Sequence, residues 1–326
     1  MNMRGQSGVA LLTVLLMVVV ISVLVIALLD DIRFGLRRSA NAESLAQARW
    51  HALGAEAAAS ARIALLRRLD PDRTTLAGDW AERPVRLPLA DGYVEAELSD
   101  ATHCFNLNSV VQGANDLVVR REGGVSQFIA LAQSLEIPAA EARMLADSLV
   151  DWIDSDQQPG PSGHEDGSYR RGRDGYATAG TLLADPSELR AIRGFDAAVY
   201  HRLRPWVCAL STSTPTPLNV NTLGPDAIPL LQMLAGRDLS PSAARALIAA
   251  RPEAGWHSSA QFWSQPGLRA LQPDNDVLAQ VAVRTRFFRL RARVENGPAQ
   301  AVMESLIEHG DDGHVQLLAR QWNFPE

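Results

Sequence analysis

Lysine is absent, and every one of the 31 basic side chains is arginine. That excludes Schiff-base catalysis and P-loop phosphate binding, both of which need a lysine amine. Cysteine is nearly absent too. Cys104 and Cys208 are too few for a four-thiolate zinc site or a disulfide-dense small scaffold. Positive charge is in deficit: 37 acidic residues leave a formal net charge of −6, which argues against broad nucleic-acid binding through clustered cations. Catalytic signatures are also lacking. No G-x-S-x-G elbow occurs, neither cysteine lies in a protease signature, and no second histidine stands four residues after His164, where the zinc-peptidase helix motif needs one. The sequence offers no active site, and the expectation is a non-enzyme. What is present is ordinary: 47% hydrophobic and 21% charged residues over 326 positions describe a folded chain with room for about two domains.

One long apolar run stands out. Residues 9–29 carry no charge, and Thr13 and Ser22 are their only polar side chains. As a helix the run covers roughly the 30 Å core of a bilayer. It is longer than the apolar part of a cleaved secretory signal and no A-x-A site follows, so it is expected to be retained. A helical pattern continues to Leu69, where Asp70-Pro71 stops it, with Ile32, Leu36, Leu45, Leu53, Ile63 and Leu66 as an apolar stripe. Gly35 and Gly54 are its weak points. Such a helix would be about 90 Å long. Its first half would lie in lipid or a filament core, and its second half against a head.

The short polar leader ending at Gly8, followed at once by the apolar run, resembles a type IV prepilin leader. The resemblance implies cleavage by a prepilin peptidase between Gly8 and Val9 and methylation of the new N-terminus. Pilin-like proteins generally place glutamate at the fifth mature position, which is Thr13 here. A carboxylate buried in an apolar helix bundle is costly unless it meets the amino group of a neighbouring subunit. A subunit with nothing above it has no such partner, so Thr13 marks a position at the end of an assembly.

The β signals lie in two separated regions. Residues 85–98 read as a hairpin turning at Asp91-Gly92. In 284–294, Phe288, Leu290, Ala292 and Val294 alternate with an arginine-rich face, the period of a half-exposed strand. Asn296-Gly297 turns the chain into 301–307, and Asp312-Gly313 turns it into 315–322. Between the two regions, Phe-Asn-Leu-Asn-Ser at 105–109 is echoed by Leu-Asn-Val-Asn-Thr at 218–222. The first precedes helices expected over 128–135 and 139–152, the second helices over 227–234 and 241–250. The expected fold class is therefore α+β: a long N-terminal transmembrane and spine helix, a pilin-like antiparallel sheet, and a large α-helical insertion of two related helical-hairpin (SAM-like) modules. The expected division is a leader (1–8), a membrane segment (9–29), a discontinuous head (30–107 and 275–326) and an insertion (108–274).

Taken in order, the leader with its missing glutamate, the two Asn-rich stretches, Asp-Trp-Ile-Asp-Ser-Asp at 151–156, Gly-His-Glu-Asp-Gly-Ser-Tyr at 163–169 and Ser-Glu-Leu-Arg-Ala-Ile-Arg-Gly at 187–194 resemble the GspK family. These are the large minor pseudopilins (general secretion pathway protein K) of bacterial type II secretion. The resemblance covers essentially the whole chain. It implies a subunit that caps the tip of the periplasmic pseudopilus and helps initiate its assembly. It also implies a single-pass location in the inner membrane with the head in the periplasm. Implied partners are the I-type and J-type minor pseudopilins, the major pseudopilin, the prepilin peptidase and the inner-membrane secretion platform. Two other readings stay open: a membrane-anchored periplasmic binding protein, and a competence-type minor pilin binding DNA. The second hairpin bears on the latter. Its loop carries Leu-Ser-Pro at 239–241 where a glycine-rich phosphate-binding loop is wanted, and Arg237, Arg245 and Arg251 are partly balanced by Asp238 and Glu253.

The acidic loop at 151–176 is the candidate metal site. Asp154, Asp156 and Gln158 alternate as at the start of an EF-hand loop, and Glu165 falls where the bidentate carboxylate would. Pro159 replaces the glycine such a loop needs, so a true EF-hand is not expected. Carboxylates crowded on one loop repel unless a cation sits among them, and hard oxygen ligands favour Ca²⁺ over zinc. The resemblance likewise implies structural calcium near this stretch. The expected ligands are Asp154, Asp156, Glu165 and Asp166, with Asp151 and Asp174 as lesser candidates; a solvated acidic loop is the competing reading. In an oxidising periplasm Cys104 and Cys208 are expected to form a disulfide, closing a loop of about 100 residues at a gain of roughly 4–5 kcal/mol.

Overall fold

The computed structural model describes residues 6–78, 80–81, 83–114, 117–170, 175–236, 239–310 and 312–322. Helix α1 (Gln6–Leu69) runs unbroken through Gly35 and Gly54. Its apolar first third packs against nothing among the described residues, and by length and composition it is able to cross a membrane. The helix ends where expected, at Asp70, whose carboxylate accepts the Asp72 and Arg73 N–H groups.

A hairpin follows, β1 (Val85–Leu89) and β2 (Gly92–Asp100). The chain then enters the helical part. Its first module comprises β3 (Phe105–Asn106), a 3₁₀ turn (Leu107–Val110), the hairpin β4 (Val111–Ala114) and β5 (Leu117–Arg120), α2 (Glu122–Ser134), α3 (Ala139–Ile153), α4 (Asp166–Tyr169), a second 3₁₀ turn (Pro186–Ala191), α5 (Ala197–Leu203) and β6 (Val207–Cys208). The second comprises β7 (Leu218–Asn219), α6 (Ile228–Ala235), α7 (Pro241–Ala249), α8 (Ser259–Trp263), α9 (Asn275–Gln280) and β8 (Val281–Ala282). Strands β9 (Phe287–Asn296), β10 (Ala299–His309) and β11 (Val315–Trp322) complete an antiparallel sheet of order β1-β2-β9-β10-β11. Strand β9 lies directly beside β2, with Val94 opposite Val294 and Leu98 opposite Leu290. The whole helical part is thus inserted between two neighbouring strands.

One sheet face packs on the second half of α1. The alternation in β9 buries Phe288, Leu290, Ala292 and Val294 against Ala48, Ala52, Ala59 and Ile63, the small alanines allowing close approach. Glu56 of α1 clamps the far edge, accepting hydrogen bonds from Arg320 at 2.6 and 2.9 Å and from Ser305 Oγ at 2.6 Å. Strand β9 starts three residues later than the pattern indicated. Thr285 is withdrawn from the ladder: its N–H goes to Thr74 Oγ1 and its hydroxyl to the buried Asp100.

The helical part has its own core, from Phe105 to Val281, which takes in a few residues on either side of the expected 108–274 span. Its two modules repeat in hydrogen-bonded detail. Asn106 Oδ1 accepts the N–H of Asn108, as Asn219 Oδ1 accepts that of Asn221. Asn108 pairs both ways with the backbone of Leu183, as Asn221 does with Trp256. Each module closes on a two-residue parallel pair, β3 with β6 and β7 with β8. Helix α2 begins six residues earlier than expected, and the β4–β5 hairpin was not anticipated, because four-residue strands carry too little alternation to read.

Candidate functional site

Helix α3 presents Asp147 and Asp151 one turn apart on one face, and Asp154 follows at its C-cap, where the backbone turns extended. The loop that follows folds back over this face. Asp151 accepts the Gly160 N–H at 3.0 and 3.1 Å, and Asp147 accepts the Ser162 N–H at 3.1 Å and an Arg120 N–H at 2.8 Å. The approach is close enough that a Cβ on Gly163 would come within 1.8 Å of Asp151 Oδ2, so a larger residue there would displace the Asp151 carboxylate.

The fold-back brings Asp154, Asp156 and Glu165 together, with one carboxylate oxygen from each lying within 4.8 Å of the others. Asp154 and Glu165 are buried, while Asp156 is exposed. Among the described residues, Asp154 Oδ1 and both Glu165 oxygens have no hydrogen-bond partner. Burial pushes the Asp154 carboxyl up to about 7, helped by the neighbouring Asp156 and Asp151 charges and opposed by Arg120. The Glu165 carboxyl is also pushed up to about 7, by burial first and then by Asp151, Asp154, Asp156 and Asp166. Buried anionic oxygens without donors cost several kcal/mol unless something positive meets them. An all-oxygen, orphaned donor set suits a hard divalent cation.

The other expected ligands are placed differently. Asp166 stands apart from the three, at the start of α4. Its Oδ1 accepts the Thr178 N–H and hydroxyl at 2.8 and 2.9 Å and its Oδ2 pairs with Arg170 at 2.6 Å, which holds its carboxyl below the usual range. Asp151 shapes the loop through Gly160. Asp174 lies outside the described residues. Asp147 was missed, although its spacing of four from Asp151 was a signal that the two carboxylates share one helix face.

The remaining predicted residues are also located. Cys104 and Cys208 are bonded, with Cα atoms 5.7 Å apart. Gly8 and Val9 lie within α1. The Thr13 hydroxyl donates to the Ala10 carbonyl at 2.9 Å, so its polarity is satisfied inside the helix. In the second hairpin Arg251 donates to the Leu223 carbonyl at 2.6 Å, while Arg237 and Asp238 lie outside the described residues.

Two family models, both described as type II secretion system protein K, match residues 103–212 and 218–284. Type II secretion system protein K of Klebsiella pneumoniae is 38% identical over 310 residues, covering 94% of each chain. This chain belongs to the protein K family. Similar relatives are type II secretion system protein K of Aeromonas hydrophila, 32% identical with 97% of each chain covered, and that of Pectobacterium carotovorum subsp. carotovorum, 31% identical with 97% of this chain and 96% of the relative covered. Among solved structures, a chain of the GspK-GspI-GspJ complex from the enterotoxigenic Escherichia coli type 2 secretion system superposes with a TM-score of 0.75 at 31% identity, covering 88% of this chain and all of the other. The protein is a minor pseudopilin of type II secretion, a structural subunit, and the pilin-like sheet with its helical insertion is the family's fold.

Proposed function

We propose that the protein is held in the bacterial inner membrane by residues 9–29, carries its head in the periplasm, and caps the tip of the pseudopilus after cleavage between Gly8 and Val9. It performs no catalysis; its work is assembly. The observation that carries this reading is the uninterrupted α1, apolar and unpacked over its first third and alanine-packed under the sheet over its second half. One rod thereby serves as both anchor and scaffold. Thr13, with its hydroxyl bonded internally, removes the carboxylate that a repeating subunit would pair with the subunit above it. The similarity to a chain of the GspK-GspI-GspJ complex supports I-type and J-type minor pseudopilins as neighbours in the tip. The major pseudopilin, the prepilin peptidase and the secretion platform are further partners in assembly.

Calcium is part of the same reading. Asp154, Asp156 and Glu165 would hold it. The ion supplies positive charge that neutralises orphaned carboxylates and pins the 155–165 loop to α3, while Asp147, Asp151 and Asp166 keep that loop in shape.

Mass spectrometry of protein purified from cells with and without the prepilin peptidase tests the anchor and its processing. We expect Val9 as the N-terminus when the peptidase is present, and the full leader when it is absent. A leader retained in both would overturn the pseudopilin maturation and leave a plain anchor.

A further inference from the structure

A cleft of about 840 Å³ separates the first helical module from the outer face of the sheet. Its helical wall presents Arg190, His201 and Arg204, and its sheet wall presents Arg291, Glu304 and Gln321. Two carboxylates line the cleft, and each already has a partner. Asp185 accepts the Ser187 N–H at 2.8 Å, and Glu304 pairs with Arg289 at 3.1 Å. Arg190 lies over the Tyr200 ring, 5.9 Å from its centre, and the Arg204 side chain has neither a hydrogen bond nor an ion pair among the described residues. In a chain of net charge −6, the cleft is lined by three arginines against two carboxylates, a local excess of positive charge.

The cleft continues along β11, whose Ala319 and Gln321 line its floor. Strand β11 is an edge strand: it pairs with β10 on one side, and among the described residues no strand pairs with the other. It is exposed along most of its length, with Leu317 and Leu318 at 42% and 45%, and it carries no proline to block pairing. The other edge strand, β1, does contain one, Pro88.

We propose that this cleft is a docking site for an extended acidic segment of a partner protein, which adds to the free edge of β11. Alternate side chains of an added strand fall on one face, here the side of Arg204 and Arg190, where carboxylates would complete the unpaired guanidinium groups. A lipid headgroup is out of reach. Residues 30–43 of α1, which are exposed rather than packed under the head, hold the sheet roughly 20 Å from the end of the apolar run. Nucleic acid is disfavoured by the overall negative charge. The site goes beyond the tip-capping reading and does not depend on leader processing or on calcium.

The test uses the full chain in detergent micelles and a fluorescein-labelled peptide of alternating glutamate and valine, followed by anisotropy and by hydrogen exchange. We expect the peptide to bind and to slow amide exchange over 315–322. The paired variant Arg190→Glu with Arg204→Glu should weaken binding by about tenfold or more without changing the melting temperature. A matched pair at exposed positions elsewhere, Arg143→Glu with Arg245→Glu, should stay within about twofold. Any of four results would overturn the site: equal loss in both pairs, no protection of β11, equal binding of a lysine-for-glutamate peptide, or preference for phosphatidylglycerol vesicles or an oligonucleotide over the peptide.

Discussion

Asp154 and Glu165 are buried carboxyls whose folded-state values, pushed up to about 7, stand well above those of the open chain. The sign follows from proton counting. Between about pH 4 and 7 the metal-free folded state holds more protons than the unfolded state, so its stability falls as pH rises through that window and levels off above about 7. We expect melting temperatures in chelator to decline from about pH 5 to about 7.5 and excess calcium to cancel the decline, because the ion binds the ionised form. Glu165→Gln sharpens the test, since it should stabilise the metal-free protein at neutral pH yet abolish the calcium-induced shift. A calcium shift that persists in this variant would remove Glu165 from the site. The grouping of Asp154, Asp156 and Glu165 was readable in the sequence, but the fold-back that brings them together was not. It depends on Asp147 and Asp151 drawing Gly160 and Ser162 back over α3, and sequence order alone added to the three Asp166, whose oxygens accept from Thr178 and Arg170.

At the scale of elements, the two modules are held by paired asparagines and one covalent tie. Asn221 is buried and satisfies both the N–H and the C=O of Trp256. Asn221→Ala would leave both groups unpaired in the interior, and we expect a loss of about 1–3 kcal/mol in urea unfolding. An unchanged midpoint would show that water replaces the side chain. The Cys104–Cys208 bond closes a sequence separation of 104 and fastens the start of the first module, β3, to its end, β6. Replacing both cysteines by alanine should cost up to about 4–5 kcal/mol, chiefly through the freed unfolded chain, as measured in non-reducing denaturant titrations. Wild type titrated with reductant should match the double variant. The asparagine echo was legible because the same side-chain chemistry recurs at the same offsets. The β4–β5 hairpin and the true start of β9 were not, because they depend on distant groups such as Ser155, Thr74 and Asp100.

For the whole molecule, the question is where one subunit sits in a fibre. Thr13→Glu would place a carboxylate in an apolar helix bundle with no amino group above it, at a cost of about 3 kcal/mol. We expect fewer pseudopili by electron microscopy in cells carrying this variant, and immunogold label on wild-type protein at fibre ends. Label spaced along the shafts would overturn the tip position. The sequence by itself determined the rod and the fold class. Charge-free length, a proline stop and two-residue alternation are local properties, legible because each residue's hydropathy acts through its immediate neighbours. Only the tertiary structure decided that Asp166 stands outside the cluster of Asp154, Asp156 and Glu165, that Arg190 and Arg204 face a common cleft, and that β11 is left as an edge. The cleft and the sheet edge depend on residues far apart in sequence, brought together by the return of the chain from β2, through the helical modules, to β9, whereas the carboxylate cluster needs only the loop after α3 to fold back.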